Sequence, residues 1–295
     1  LILEIQNVQI IKTDKMSVKY EERYATHPAD AKNYDTERLR DEYLVQDIME
    51  AGNVNLTYSQ YDRLIVGGVV PTNQALPLET IDPLKAEYFL ERRELGIVNV
   101  GEKGSVSVDG EVFELEYKEA LYVGKGKKEI IFESADAATP AHFYLNSAPA
   151  HEIFPTVKVG REDAIVIELG EAENSNRRTL NKLIVSDTIK TNQLQMGMTE
   201  LHPGSVWNTM PAHTHSRRME AYFYFEVPKG QAICHFMGDP KETRHIWMGN
   251  EEAVFSPTWS IHSAAGTSNY TFIWGMGGEN LDYGDMDICQ PDELR

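Results

Sequence analysis

The chain has 295 residues, 41% of them hydrophobic and 25% charged, enough apolar material for one large domain or two medium ones. Its 46 acidic residues against 28 lysines and arginines give a formal net charge of −18, which disfavours nucleic acid and anionic membrane surfaces as partners. Two cysteines, Cys234 and Cys289, are too few for a disulfide framework and suit a reducing, cytoplasmic setting, and no apolar run approaches the roughly 18 to 20 residues of a membrane span.

Residues 1–15 precede the first methionine, Met16, and read as a leader segment foreign to the fold. The stretch DTERLRDEYLVQDI at 35–48 is rich in helix formers, with Leu39, Tyr43 and Val45 to one side and Thr36 available as an N-cap, so it predicts a short helix. Short β-branched and aromatic runs follow, among them LIVGGVVP at 64–71, GIVNVGEKGSVSVDGEVFELEY at 96–117 and AHFYLNSA at 141–148, with Asp109-Gly110 as a hairpin turn. A second block of the same texture runs from about residue 183 to 280. Arg92-Arg93-Glu94 stands ahead of the turn glycine Gly104, as Arg217-Arg218-Met219-Glu220 stands ahead of Gly230. The pattern predicts a mainly β chain of two duplicated barrel modules with a few short helices: residues 16–170, then 171–295, with an irregular joint near ENSNRRTLNK at 173–182.

His213-Thr214-His215 is the most specific local signal. Residues two apart on a strand share a face, so both imidazoles can serve one metal, with Glu220 as a third ligand and His262, five residues after Pro257, as a fourth. The first block has Glu91, Arg92, Arg93 and Glu94 at the corresponding place and is expected to hold no such ion. Among the other histidines, His27, His142, His151 and His235 lack ligand-spaced partners and read as surface or satisfied core residues. GKGKK at 124–128 lacks the spacing of a phosphate loop.

G-x8-H-x-H-x4-E from Gly204 to Glu220, followed by P-x4-H from Pro257 to His262, resembles the two-part metal motif of the cupin superfamily, whose jelly-roll barrel holds a divalent ion. Longer strings narrow the resemblance. YFLERRELGIVNVGEKG at 88–104, VWNTMPAHTHSRRMEAYFYF at 206–225, ETRHIWM at 242–248, SPTWSIHSAAGT at 256–267 and YTFIWGMGGEN at 270–280 are similar to the 5-keto-4-deoxyuronate isomerase family of pectin degradation. The similarity runs from about Tyr20 to Arg295. It implies a bicupin, one zinc ion in the second barrel held by His213, His215, Glu220 and His262, a homohexamer, and interconversion of 5-dehydro-4-deoxy-D-glucuronate with 3-deoxy-D-glycero-2,5-hexodiulosonate. Cupin dioxygenases use the same three-histidine, one-glutamate set, and 5-deoxyglucuronate-type isomerases are the nearer alternative.

Moving a carbonyl by one carbon removes a C–H proton while negative charge builds on oxygen, which a divalent Lewis acid stabilises. Four protein ligands saturate a tetrahedral ion, so the chemistry predicts five- or six-coordination. Glu200 and Tyr222 are the candidates for proton transfer; each also reads as an ordinary strand residue, solvated or in the barrel core. The small anionic sugar acid needs cations for its carboxylate. Arg178, Lys182 and Arg218 are the candidates, with surface ion pairs as the competing reading.

Overall fold

A computed structural model describes residues 18–279 and 282–295, so the leader expected at 1–15 lies outside the described residues. The described chain is mainly β. The first module is a seven-stranded sheet in the spatial order β1 (Lys19–Arg23), β3 (Val54–Ser59), β4 (Ile65–Val69), β11 (Phe143–Pro149), β6 (Arg93–Asn99), β9 (Ala120–Val123) and β12 (Val157–Val159). It faces a four-stranded sheet of β5 (Leu76–Pro77), β10 (Ile130–Ser134), β7 (Gly104–Val108) and β8 (Glu111–Leu115). Asp109-Gly110 joins β7 to β8, and both residues have positive φ, the conformation a two-residue hairpin requires.

The second module repeats the plan. Its seven-stranded sheet runs β13 (Ile165–Leu169), β14 (Arg178–Ile184), β15 (Gln195–Leu201), β23 (Thr271–Gly278), β18 (Arg218–Phe225), β21 (Glu252–Ser256) and β2 (Leu44–Val45). Opposite lie β16 (Trp207–Asn208), β22 (Ser263–Gly266), β19 (Ile233–Asp239) and β20 (Glu242–Met248), with a small ribbon of β17 (Ala212–Thr214) and β24 (Asp287–Cys289). This is a bicupin. No helix among the described residues is long and apolar enough to cross a membrane.

Two boundaries differ from the sequence-based expectation. The chain changes sheets between Val159 and Ile165, ahead of 170/171, because Ile165–Leu169 forms β13 and pairs with β14 of the second sheet. The helical stretch also crosses over to the second module. Helix α1 (Pro28–Ala31) is capped by His27, and α2 (Thr36–Tyr43) is capped by Asp35, whose Oδ1 accepts from Arg38 N at 2.8 Å, in place of the expected Thr36. Leu39, Tyr43 and Leu44 are buried in the core of the second barrel, while Leu44 and Val45 pair with Val254 and Ala253, covering the edge of β21.

The two large sheets pack against each other. Along β18, Glu220, Tyr222 and Tyr224 face the interior of the second barrel, while Met219, Ala221, Phe223 and Phe225 join the core between modules. Both faces are buried, so the strand reads as a continuous apolar run in place of an alternating one. Phe223 stacks on Tyr144 at 4.4 Å across this layer. The sheets approach so closely at Gly275 that a Cβ there would stand 1.8 Å from Asn146 Oδ1.

Candidate metal centre and substrate cavity

Glu220 lies on β18, His213 on β17 and His215 just beyond it, while the turn after Pro257 delivers His262 between β21 and β22. His262 Nε2 faces His213 Nε2 at 3.0 Å and Glu220 Oε2 at 2.6 Å, and His215 Nε2 is 3.7 Å from the same oxygen. One donor atom from each residue lies within 4.8 Å of all the others. His215 Nε2 and Glu220 Oε2 are buried without a hydrogen-bond partner, as expected where a cation takes the lone pairs. Three imidazoles and a carboxylate fit a divalent transition ion.

The surroundings prepare these donors. His215 Nδ1 donates to the Asp285 carbonyl and His262 Nδ1 lies 3.2 Å from Ser256 Oγ, so each ring presents Nε2 to the centre. Burial, then the neighbouring His262, hold the His213 imidazole down to about 2, keeping it neutral. Burial pushes the Glu220 carboxyl up, but the pull of the adjacent His262 and His215 imidazoles outweighs it, leaving the group well below the usual carboxylate range.

Three of the four, His213, His215 and Glu220, line a cavity of about 390 Å³ together with Arg178, Lys182, Arg218 and Tyr222, and His262 completes the centre from behind them. Eight of the nine expected site residues are therefore brought together. Glu200 is the exception. On β15 it shares a face with Met196 and Met198, which pack between the modules, and its carboxylate meets Lys118 Nζ at 2.7 Å and Asn181 Nδ2 at 3.1 Å. Its neighbour Thr199 is the residue that faces the cavity. Alternation pairs residues correctly but does not say which of two buried faces holds the site.

Tyr222 shares a 3.0 Å hydrogen bond with Thr209 Oγ1, and its ring lies 5.4 Å from that of His262. Burial and the Glu220 charge raise its phenol well above the ordinary value. The cations differ in their freedom. Arg218 donates to the carbonyls of Asp282 at 2.6 Å, Tyr283 at 3.1 Å and Asp285 at 3.4 Å, fastening that segment over the centre. Arg178 gives one bond to the Asn176 carbonyl, and Lys182 stands 3.4 Å from Asp187 and 4.5 Å from the Tyr283 ring centre. Sequence reasoning missed Trp274 and Tyr283, which also line the cavity. Alternation along β23 puts Phe272, Trp274 and Met276 on one face, but nothing local marked Tyr283.

In the first module, Arg93 and Glu94 serve packing. Glu94 accepts from Tyr122 Oη at 2.7 Å and from the backbone N–H groups of Asn192, Gln193 and Leu194, tying the segment before β15 to the first sheet. His235 is buried and bonded to Tyr224 Oη at 2.8 Å.

Two cupin barrels in one chain, one with a convergent set of three histidines and a glutamate inside a cavity, define a bicupin with a metal-suited centre. Comparison with known proteins narrows the class. The KduI/IolB family matches residues 45–290, and the chain belongs to that family. It is 62% identical to the 4-deoxy-L-threo-5-hexosulose-uronate ketol-isomerase of Formosa agariphila over 280 residues, 95% of this chain and 100% of that one. The protein of the same name from Escherichia coli is 52% identical over 275 residues, 92% of this chain and 99% of that one. With such relatives, the chain is an enzyme of the ketol-isomerase class, an intramolecular oxidoreductase. Among solved structures, an IolB-like protein from Salmonella typhimurium superposes with a TM-score of 0.62 at 16% identity, covering 77% of this chain and 86% of that one. An oxalate decarboxylase of Bacillus subtilis gives 0.52 at 10% identity, with 74% and 69% covered. These two share the fold.

Proposed function

We propose that the enzyme interconverts 5-dehydro-4-deoxy-D-glucuronate and 3-deoxy-D-glycero-2,5-hexodiulosonate in the breakdown of pectin and related polyuronides, with zinc held by His213, His215, Glu220 and His262. The observation that carries the reading is the juxtaposition of this donor set, three of whose members line the cavity, with the cations Arg178 and Lys182 of the same cavity. A cytoplasmic homohexamer belongs to the same reading.

The ion, when bound, supplies Lewis-acid polarisation of the substrate carbonyl. The chain's own residues do the rest. Arg178 and Lys182 attract and orient the carboxylate end, which leaves the aldehyde end to the four-residue centre. Tyr222, a neutral phenol positioned by Thr209, donates its O–H to a developing oxyanion. Glu200 has no part in proton transfer, since its carboxylate lies in the layer between modules. Arg218 acts through the 282–285 segment and His215 as a positioning residue. Apolar walls, including Phe272 and Met276, limit water near the reacting carbons.

The test is to incubate the protein with 5-dehydro-4-deoxy-D-glucuronate in D₂O, with and without chelator, and follow the product by NMR. We expect conversion that chelator abolishes and zinc restores. Full turnover after complete metal removal refutes the metal's role, and no turnover by metal-replete protein refutes the substrate.

A further inference from the structure

Trp274 lines the cavity from β23 and is only 4% exposed, yet its indole N–H meets no acceptor among the described residues. A buried indole donor ordinarily has a partner. The strand register places the ring. Lys182, Gly197, Trp274 and Tyr222 form one row across β14, β15, β23 and β18. Gly197 has no side chain, and the indole fills the space: a Cβ there would stand 2.0 Å from Trp274 Cζ2. Cζ2 adjoins the ring carbon that carries Nε1, so the donor-bearing side of the indole reaches over β15, the strand next to that of Lys182.

At that end the groups form a connected set. The Trp274 and Tyr283 rings are 5.4 Å apart, and Lys182 Nζ lies 4.5 Å from the Tyr283 ring centre. The carboxylate beside Lys182, that of Asp187, is exposed and 3.4 Å away, which leaves the ammonium available to a ligand. At the far end of the row Tyr222 neighbours the four-residue centre. Three inter-strand steps separate β14 from β18, about 14 Å along the sheet, shortened at both ends by side chains.

We infer that Trp274 and Lys182 together hold a 2-oxo acid head, the indole N–H donating to the keto oxygen and the ammonium pairing with the carboxylate. The inference rests on the isomerase reading, in which substrate and product carry the same 2-oxo acid group at the end remote from the reacting carbons. The head does not change during the reaction, so its contacts set KM and leave kcat nearly unaltered.

The test is calorimetric titration of the zinc-loaded enzyme with 2-oxohexanoate and with hexanoate, neither of which has an aldehyde to react. The unmodified enzyme is expected to bind the oxo acid about tenfold or more tightly than hexanoate. Trp274→Phe should reduce this preference to near unity, whereas Lys182→Met should weaken both acids. With 5-dehydro-4-deoxy-D-glucuronate, Trp274→Phe should raise KM about tenfold while kcat and metal content hold. Equal affinity of the unmodified enzyme for the two acids, or an unchanged preference in folded Trp274→Phe, overturns the inference. If that variant fails to fold, the same preference measured on the metal-free enzyme is decisive, since no ion is then present to chelate the oxo acid. Failure of the isomerase reading shows separately, as absence of deoxyuronate turnover.

Discussion

Glu200→Gln separates the two roles that sequence and structure give this residue. In the structure Lys118, from the turn before β9, bridges Glu200 at 2.7 Å and Glu226 at 2.8 Å, joining the first module to the second. The Lys118 side chain is 6% exposed and that of Glu200 is 24% exposed. Breaking a fully buried pair outright costs about 3–5 kcal/mol. Here Lys118 keeps Glu226, glutamine keeps a hydrogen bond, and solvent screens the exposed part of Glu200, so the expected loss is about 1–2 kcal/mol. That lowers Tm by a few degrees, at about 2–4 °C per kcal/mol for a chain approaching this size. Turnover should stay within about threefold, whereas loss of a true general base costs about 10²-fold or more. Scanning fluorimetry and initial rates on one preparation read both quantities. Lys118→Met, which removes the cation shared by Glu200 and Glu226 and leaves Glu200 only the exposed Arg161 at 3.9 Å, should lower Tm further with a similar rate. A 10²-fold fall in kcat at unchanged Tm in Glu200→Gln would refute the placement of its carboxylate outside the reaction.

Arg218→Met should weaken binding of a divalent ion about 10- to 100-fold in a chelator competition, because the 282–285 segment loses its guanidinium donor and the Asp285 carbonyl no longer holds His215 in place; unchanged affinity would contradict the positioning role. Tyr222→Phe should cut kcat about 10²-fold with KM nearly constant, and a normal kcat removes the phenol from the proton path. The metal-free protein should lose stability as pH falls below about 6.5. There the unfolded chain protonates the His213 imidazole, while the folded one, with its pKa held at about 2, does not. From pH 6.5 to 5 this one group contributes a loss of about 2 kcal/mol, at about 1.36 kcal/mol per pH unit, readable as a fall in urea midpoint that His213→Gln should roughly halve, the buried His235, held down to about 3, supplying the rest. The depressed Glu220 carboxyl works in the same direction, since its contribution is present above the unfolded value of 4.5 and is lost as pH falls through its lower folded value. A urea midpoint independent of pH over this interval would refute the account.

The strand-and-turn rhythm, the Asp109-Gly110 hairpin and the four candidate ligands are all legible in residue order alone. Each depends on short spacing: a two-residue period puts His213 and His215 together, and the same alternation puts Tyr222 beside Glu220 on β18. Which face of each strand lines the cavity depends on how the sheets pack. Where two sheets pack back to back, both faces of β15 and β18 are buried and apolar, so composition does not separate Thr199 from Glu200. Long-range pairing also decided that residues 28–45 cover the second barrel, that Arg218 holds the 282–285 segment, and that Gly197 makes room for Trp274. Those partners are separated by tens to hundreds of residues, and no local period in the chain encodes contacts made only when the sheets close on one another.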